Sequence, residues 1–256
     1  MLAADDARRD ELQPLRQGLA FDQPDILIQQ RLFGLAHGVS LLAAACAEEP
    51  RYRDITMPAY REWNTQQTPG IEAATRDLAG YYFGARAGEA MRLDIAHALK
   101  LQDKLTLTPG SNELLAACAT FAQALQNPRY DLVTQHRLQA MAIRFEAQTM
   151  TDAAVEACSA AAPQRNEPAQ DAALAQWGAR HAADNAEAKT VLEAEWTVLQ
   201  WEGTFNQFVT QARQRGKMSA TPERCGTLMQ RLTTKDAKPD DTAHAAHAAD
   251  TSAAKP

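Results

Sequence analysis

The chain has 256 residues, 45% of them apolar but only 6% aromatic, and carries a formal net charge of −6. That length suffices for one large domain or two small ones, with a core that needs no metal to hold it. The acidic balance supplies no positive field for nucleic acid or an anionic membrane surface, so nucleic acid is not expected as a partner.

Alanine, in runs such as Leu41 to Ala45, supplies much of the apolar content and favours helix. Alternating Val/Ile/Thr runs of half-buried strands are nearly absent, and apolar residues recur at three- and four-residue intervals. These patterns predict an all-α fold: a soluble multi-helix up-and-down bundle. At the N-terminus, Asp5, Asp6, Arg8 and Arg9 follow Leu2 to Ala4, and no basic region leads an apolar segment as in a secretion signal.

Pro24 marks the opening of a first helix reaching about Ala47. Its apolar stretch from Leu32 to Ala47 is interrupted by His37, Gly38 and Ser40. It is also shorter than the ~20 residues that span a bilayer, so it reads as a buried helix and the chain as not membrane-spanning. Tyr60 and Trp63, three apart among Arg61, Glu62, Asn64 and Gln66, are expected to form a partly exposed surface patch.

Pro69 after Thr68 marks a helix ending at Gly84. Met91, Ile95 and Leu99 make one stripe of a helix from Gly88 to about Lys104, before Thr108-Pro109-Gly110 breaks the chain. A helix from Ser111 to Gln126 buries Leu114, Cys118, Phe121 and Leu125; the next, from Pro128 to Gln148, carries Leu138, Met141 and Phe145; a third begins at Thr151.

The polar residues from Pro163 to Pro168 form a connector, so residues 1–233 read as a single helical domain whose best internal boundary is 162–168. A long helical pattern follows from about Ala169 to Arg215, with a bend near Gly178 or Asn185, and Thr221-Pro222-Glu223 starts a last short helix. Residues 234–256 lack any large apolar residue and are expected to be a disordered low-complexity tail. A loose echo links Ala36-His37, Cys46 and Pro50-Arg51-Tyr52 to Ala96-His97, Cys118 and Pro128-Arg129-Tyr130.

Cys46, Cys118, Cys158 and Cys225 include no Cys-x-x-Cys pair, which argues against a zinc ribbon or a thioredoxin-like centre and for structural disulfides. Counting along consecutive helices opened by Ser111 and Thr151 puts Cys118 and Cys158 at one height, so these two are expected to pair, leaving Cys46 with Cys225. Disulfides in turn favour a periplasmic or secreted protein over a cytoplasmic one.

Two histidine sets could ligate metal. His244, His247 and Asp250 repeat at intervals of three in the tail and would hold Cu, Ni or Zn weakly; Asp94 and His97 share a helix face, as do His181 and Asp184. The bland alternatives are a solvated tail and scattered structural histidines, and no cofactor is expected. An enzyme with a helical cleft would draw first on Asp94, His97 and Glu146 as acid/base residues. No phosphate loop, nucleophile elbow or His-Glu-x-x-His pair is present. The favoured expectation is a non-enzymatic helical protein, outside the cytoplasm, that binds a protein or a small ligand. Metal handling and catalysis stand as the alternatives.

Overall fold

Proline at the first helical position opens α1 (Pro24–Glu48), where a missing amide donor has no intrahelical partner to lose. The structure is a computed structural model that describes residues 12–161 and 168–232. After α1 come α2 (Arg53–Phe83), a 3-10 segment (Gly84–Glu89), α3 (Arg92–Ala98), α4 (Asn112–Ala124) and a 3-10 turn (Pro128–Tyr130). α5 (Leu132–Ala161), α6 (Pro168–Leu199), α7 (Phe205–Ser219) and α8 (Pro222–Leu232) complete an all-α chain with no strand among the described residues. Contacts gather these elements into two units, divided between Arg137 and Leu138. The connector expected at 162–168 lies outside the described residues up to Pro168, and the tail 234–256 lies outside them entirely.

In the first unit α1 packs against α2 and α4, and α2 packs also against α3 and α4. α1 has the length and apolarity to cross a membrane. Its Ile28, Leu32, Phe33, Ala36, Val39 and Ala43 fall at helical spacing and are buried within the unit, where Phe33 joins Leu78, Tyr82 and Ile95 in one cluster. The segment before α1 is tied down by polar groups. Leu15 N donates to Tyr82 O at 2.7 Å and Gly18 N to Ala98 O at 2.8 Å. The buried Tyr82 hydroxyl donates to Gly18 O at 2.6 Å and accepts from Gln30 Nε2 at 2.7 Å. Burial pushes its pKa up to about 12, so it stays a donor.

The second unit is built on Leu138, Ala142 and Phe145 of α5, Leu192, Trp196 and Leu199 of α6, and Phe205 of α7. The Trp196 indole donates to Gly203 O at 3.1 Å, which pins the turn after α6. Farther along α5, Arg213 of α7 pairs with Glu156 at 2.7 Å, and Arg215 pairs with Glu146.

Each unit is closed by its own disulfide. Cys46–Cys118 joins the end of α1 to α4, with Cα atoms 5.4 Å apart, and Cys158–Cys225 joins the end of α5 to α8 at 5.5 Å. This corrects the expected pairing of Cys118 with Cys158 and Cys46 with Cys225. The count failed because Thr151 opens no helix. Its hydroxyl bonds back to Ala147 O at 2.8 Å inside α5, which runs unbroken from Leu132 to Ala161. Cys158 therefore lies near the end of a long helix, as Cys46 does.

The same plan thus occurs twice. A long helix bearing a late cysteine is followed by a helix of 31 or 32 residues, a shorter helix, and a closing helix with the second cysteine. The disulfides span similar sequence separations of 72 and 67 residues. The echo in the sequence had matched Cys46 with Cys118, which are instead the two halves of one bond.

Three other boundaries move. Pro69 lies inside α2, as does Pro58, and begins nothing; Thr68 Oγ1 there donates to Asn64 O at 2.7 Å. The helix expected over Gly88 to Lys104 shortens to α3, ended by Lys100 at a φ of 60°. The pattern from Ala169 to Arg215 is two helices, interrupted where Gln200 and Gly203 take positive φ and restarted by a Thr204/Gln207 capping box.

Candidate functional site

An apolar stripe that stops before its helix does leaves a hollow behind it, and this happens on α6. Reading backwards from Leu199, the buried face passes through Trp196 and Leu192. One to three turns further on, the same face presents Ala188, Asn185, Asp184 and His181. These side chains are too small or too polar to continue the core. Opposite them α5 presents Met141, Arg144, Phe145 and Gln148, also at helical spacing. The result is a half-open groove of about 390 Å³ between α5 and α6, lined by these residues and Glu187.

Its floor is apolar, from Met141, Phe145 and Ala188, and its rim is charged, with Asp184 and Glu187 on α6 and Arg144 on α5. In the wall stands Gln148, 6% exposed. Its Nε2 donates to Asp152 Oδ1 at 2.9 Å, while its Oε1 is buried with no hydrogen-bond partner. A carboxylate only accepts, so Asp152 fixes the amide with its nitrogen towards the carboxylate and its oxygen left over. The Asp152 carboxyl is held above its ordinary range by burial, against the opposing pull of the Gln148 bond, Arg213 and His181. Leaving a buried acceptor unmet costs about 1–3 kcal/mol, which sets Gln148 apart from the satisfied polar groups of the interior.

Of two other hollows, one lacks this feature. A groove of about 540 Å³ in the first unit is floored by Ile71, Ala79, Ala87 and Ala90, with exposed Glu72, Arg76 and Arg92 at its edge. The hydroxyls of Thr68 and Thr75 in its wall are already satisfied by Asn64 O and Ile71 O at 2.7 Å each. A shallow hollow between Thr120 and Arg129 is more open still; there Arg129 Nη2 donates to the Tyr130 hydroxyl at 2.6 Å, while Arg129 Nε is buried with no hydrogen-bond partner.

The residues singled out in the sequence are placed as follows. Asp94 caps α3, its Oδ2 accepting from Met91 N at 2.8 Å, while His97 Nε2 meets Asp103 Oδ1 at 2.8 Å. The two are therefore engaged separately and do not form a metal pair. Glu146 belongs to the second unit, where it is paired with Arg215, while Asp94 and His97 belong to the first. Among the described residues no three histidine, cysteine or acidic side chains come together as a metal-sized cluster. His244, His247 and Asp250 lie outside the described residues.

The expected Tyr60/Trp63 patch is corrected. Trp63 is 4% exposed, its indole donating to Tyr130 O at 2.8 Å, and only Tyr60 is partly exposed. Trp63 anchors the turn before α5, together with Gln67, whose Oε1 accepts from Leu132 N at 2.9 Å. His181 and Asp184, noted for sharing a face, both line the α5/α6 groove. Gln148 was missed, and its only signal was a polar residue on the buried side of an apolar stripe. No family model, curated protein or solved structure matches this chain.

Proposed function

We propose that this chain is a non-enzymatic binding protein that works outside the cytoplasm, in a periplasm or the extracellular space, and takes a small ligand into the α5/α6 groove. The observation that carries this reading is the half-open hollow between α5 and α6, with an apolar floor of Met141, Phe145 and Ala188 and a charged rim. The volume of about 390 Å³ lies within the range usual for small-molecule sites. Two disulfides support the compartment, because such bonds persist where thiols are not kept reduced.

Thermal denaturation of the unreduced full-length protein tests it, using a panel of small organic cations, anions and neutral solutes. Some class should raise the midpoint of the wild type and leave Ala188→Trp, whose indole would fill the groove, unmoved. A panel that shifts neither protein, or both alike, contradicts the reading.

A further inference from the structure

We infer that Cys158–Cys225 is a redox latch: exchange with a dithiol opens this bridge ahead of Cys46–Cys118 and releases α8 while the rest of the second unit stays folded. Exchange begins when a thiolate reaches one of the two sulfurs, so the cover over each bridge and the firmness of the helices holding it set the order of opening. The two bridges differ in both respects.

Cys46 and Cys118 are 0% and 2% exposed and cluster with Leu114, with Leu105 and Leu107 packed against them. Cys118 stands in the middle of α4, between buried Leu114 and buried Phe121, and α4 packs against both α1 and α2. A thiolate reaches this bridge only after those contacts part. Cys158 is also buried, but its partner Cys225 is partly exposed and lies in the first turn of α8, where helices fray most readily. α8 has 11 residues and its chief packing is against α6; isolated helices of that length are marginal in water. Its Glu223, Arg224, Thr227, Gln230 and Arg231 are exposed, and among its described side chains Leu232 alone is buried. Gly226 weakens the helix further, and a Cβ there would meet nothing within 4 Å, so packing does not require a glycine. The core of the unit, from Leu138 and Phe145 to Trp196 and Phe205, takes no described side chain from α8. Losing α8 therefore leaves that core closed.

The co-reactant is a small molecule or protein with two neighbouring thiols. Its thiolate attacks Cys225 Sγ and forms a mixed disulfide; the bond between the two protein sulfurs breaks, and its electron pair leaves on Cys158, which takes up a proton. The second thiol then attacks the reductant's own sulfur, closing the dithiol into a disulfide and releasing Cys225 as a thiolate that is protonated in turn. Two electrons and two protons pass from the dithiol to the bridge. With the bridge cut, Leu232 is left to hold α8 against its neighbours, and the helix comes away from α6.

The test is timed reduction of the oxidised, folded full-length protein with dithiothreitol, quenched with iodoacetamide and read by peptide mapping, with hydrogen exchange measured on the same samples. Cys158 and Cys225 should be alkylated together, at least about tenfold sooner than Cys46 and Cys118. Peptides across residues 222–232 should lose protection at the same time, while those around Leu138–Phe145 and Leu192–Leu199 keep theirs. Gly226→Ala, at an exposed and open position, should slow the opening about fivefold by firming α8. The paired change Cys158→Ser and Cys225→Ser should show the same local loss of protection with no reductant present. Both bridges opening at one rate, Cys46–Cys118 opening first, or neither opening in the folded protein would overturn the selectivity. Residues 222–232 that stay protected after Cys158–Cys225 is cut, or a Gly226→Ala protein that opens as fast as the wild type, would show that the bridge does not act through α8.

Discussion

Buried polar side chains separate the parts of this molecule that hold it together from the part left open. Tyr82 meets all its demands inside the chain: its hydroxyl donates to Gly18 and accepts from Gln30. Tyr82→Phe would leave Gln30 Nε2 and Gly18 O only their longer bond to each other at 3.2 Å, and should cost about 1 kcal/mol. It should also free the segment before α1 to proteolysis, measurable by denaturant titration and limited digestion. Asp152 is the opposite case, a carboxylate kept where burial raises its pKa. A carboxyl whose pKa is higher in the folded state than in the unfolded one destabilises the ionised fold. That penalty is full at neutral pH and is relieved as pH falls through the folded value towards the ordinary one. Asp152→Asn should therefore raise the melting temperature at neutral pH, with the gain shrinking in acid. A gain that grows towards low pH would contradict the direction.

At the scale of elements, helix existence was plain in the sequence and helix ends were not. The first helix was readable from Pro24 and the apolar run after it, and α4 from Ser111, whose hydroxyl accepts from Leu114 N. Thr151, Thr68-Pro69 and the polar stretch after Leu199 each carried a signal whose meaning depends on tertiary context. A threonine hydroxyl serves a cap or an i−4 carbonyl equally well, and a proline either opens a helix or is carried within one. One misread threonine was enough to misassign both disulfides. The groove was half legible: His181 and Asp184 stood out by spacing, but Gln148 looked like any polar residue near a stripe until the structure buried it. Packing between elements gives a further test. A Cβ at Gly216 of α7 would lie 2.2 Å from the Met150 carbonyl oxygen of α5, and backbone cannot swing aside. Gly216→Ala should lose about 2 kcal/mol or more by calorimetric melting. Unchanged stability would mean that α7 sits farther from α5.

At the scale of the molecule, two units of like plan each carry one disulfide, Cys46–Cys118 buried at both ends and Cys158–Cys225 partly exposed at Cys225. Loops spanning 72 and 67 residues should each contribute about 4 kcal/mol by chain entropy. Paired serine substitutions at Cys46 and Cys118, or at Cys158 and Cys225, should therefore lower stability to a similar extent. Non-reducing peptide mapping of protein from its native compartment should recover Cys46 linked to Cys118 and Cys158 to Cys225. Four free thiols there would remove the main support for an extracytoplasmic site of action. The central proposal, that the α5/α6 groove takes a small ligand, is tested most directly by nuclear magnetic resonance of the isotope-labelled full-length protein. On titration with the ligand class that raises the melting midpoint, the side-chain amide of Gln148 should shift saturably, together with the backbone amides of Asp184 and Ala188. Signals of these residues that stay still while that ligand binds, or resonances that move elsewhere in the chain instead, would contradict it.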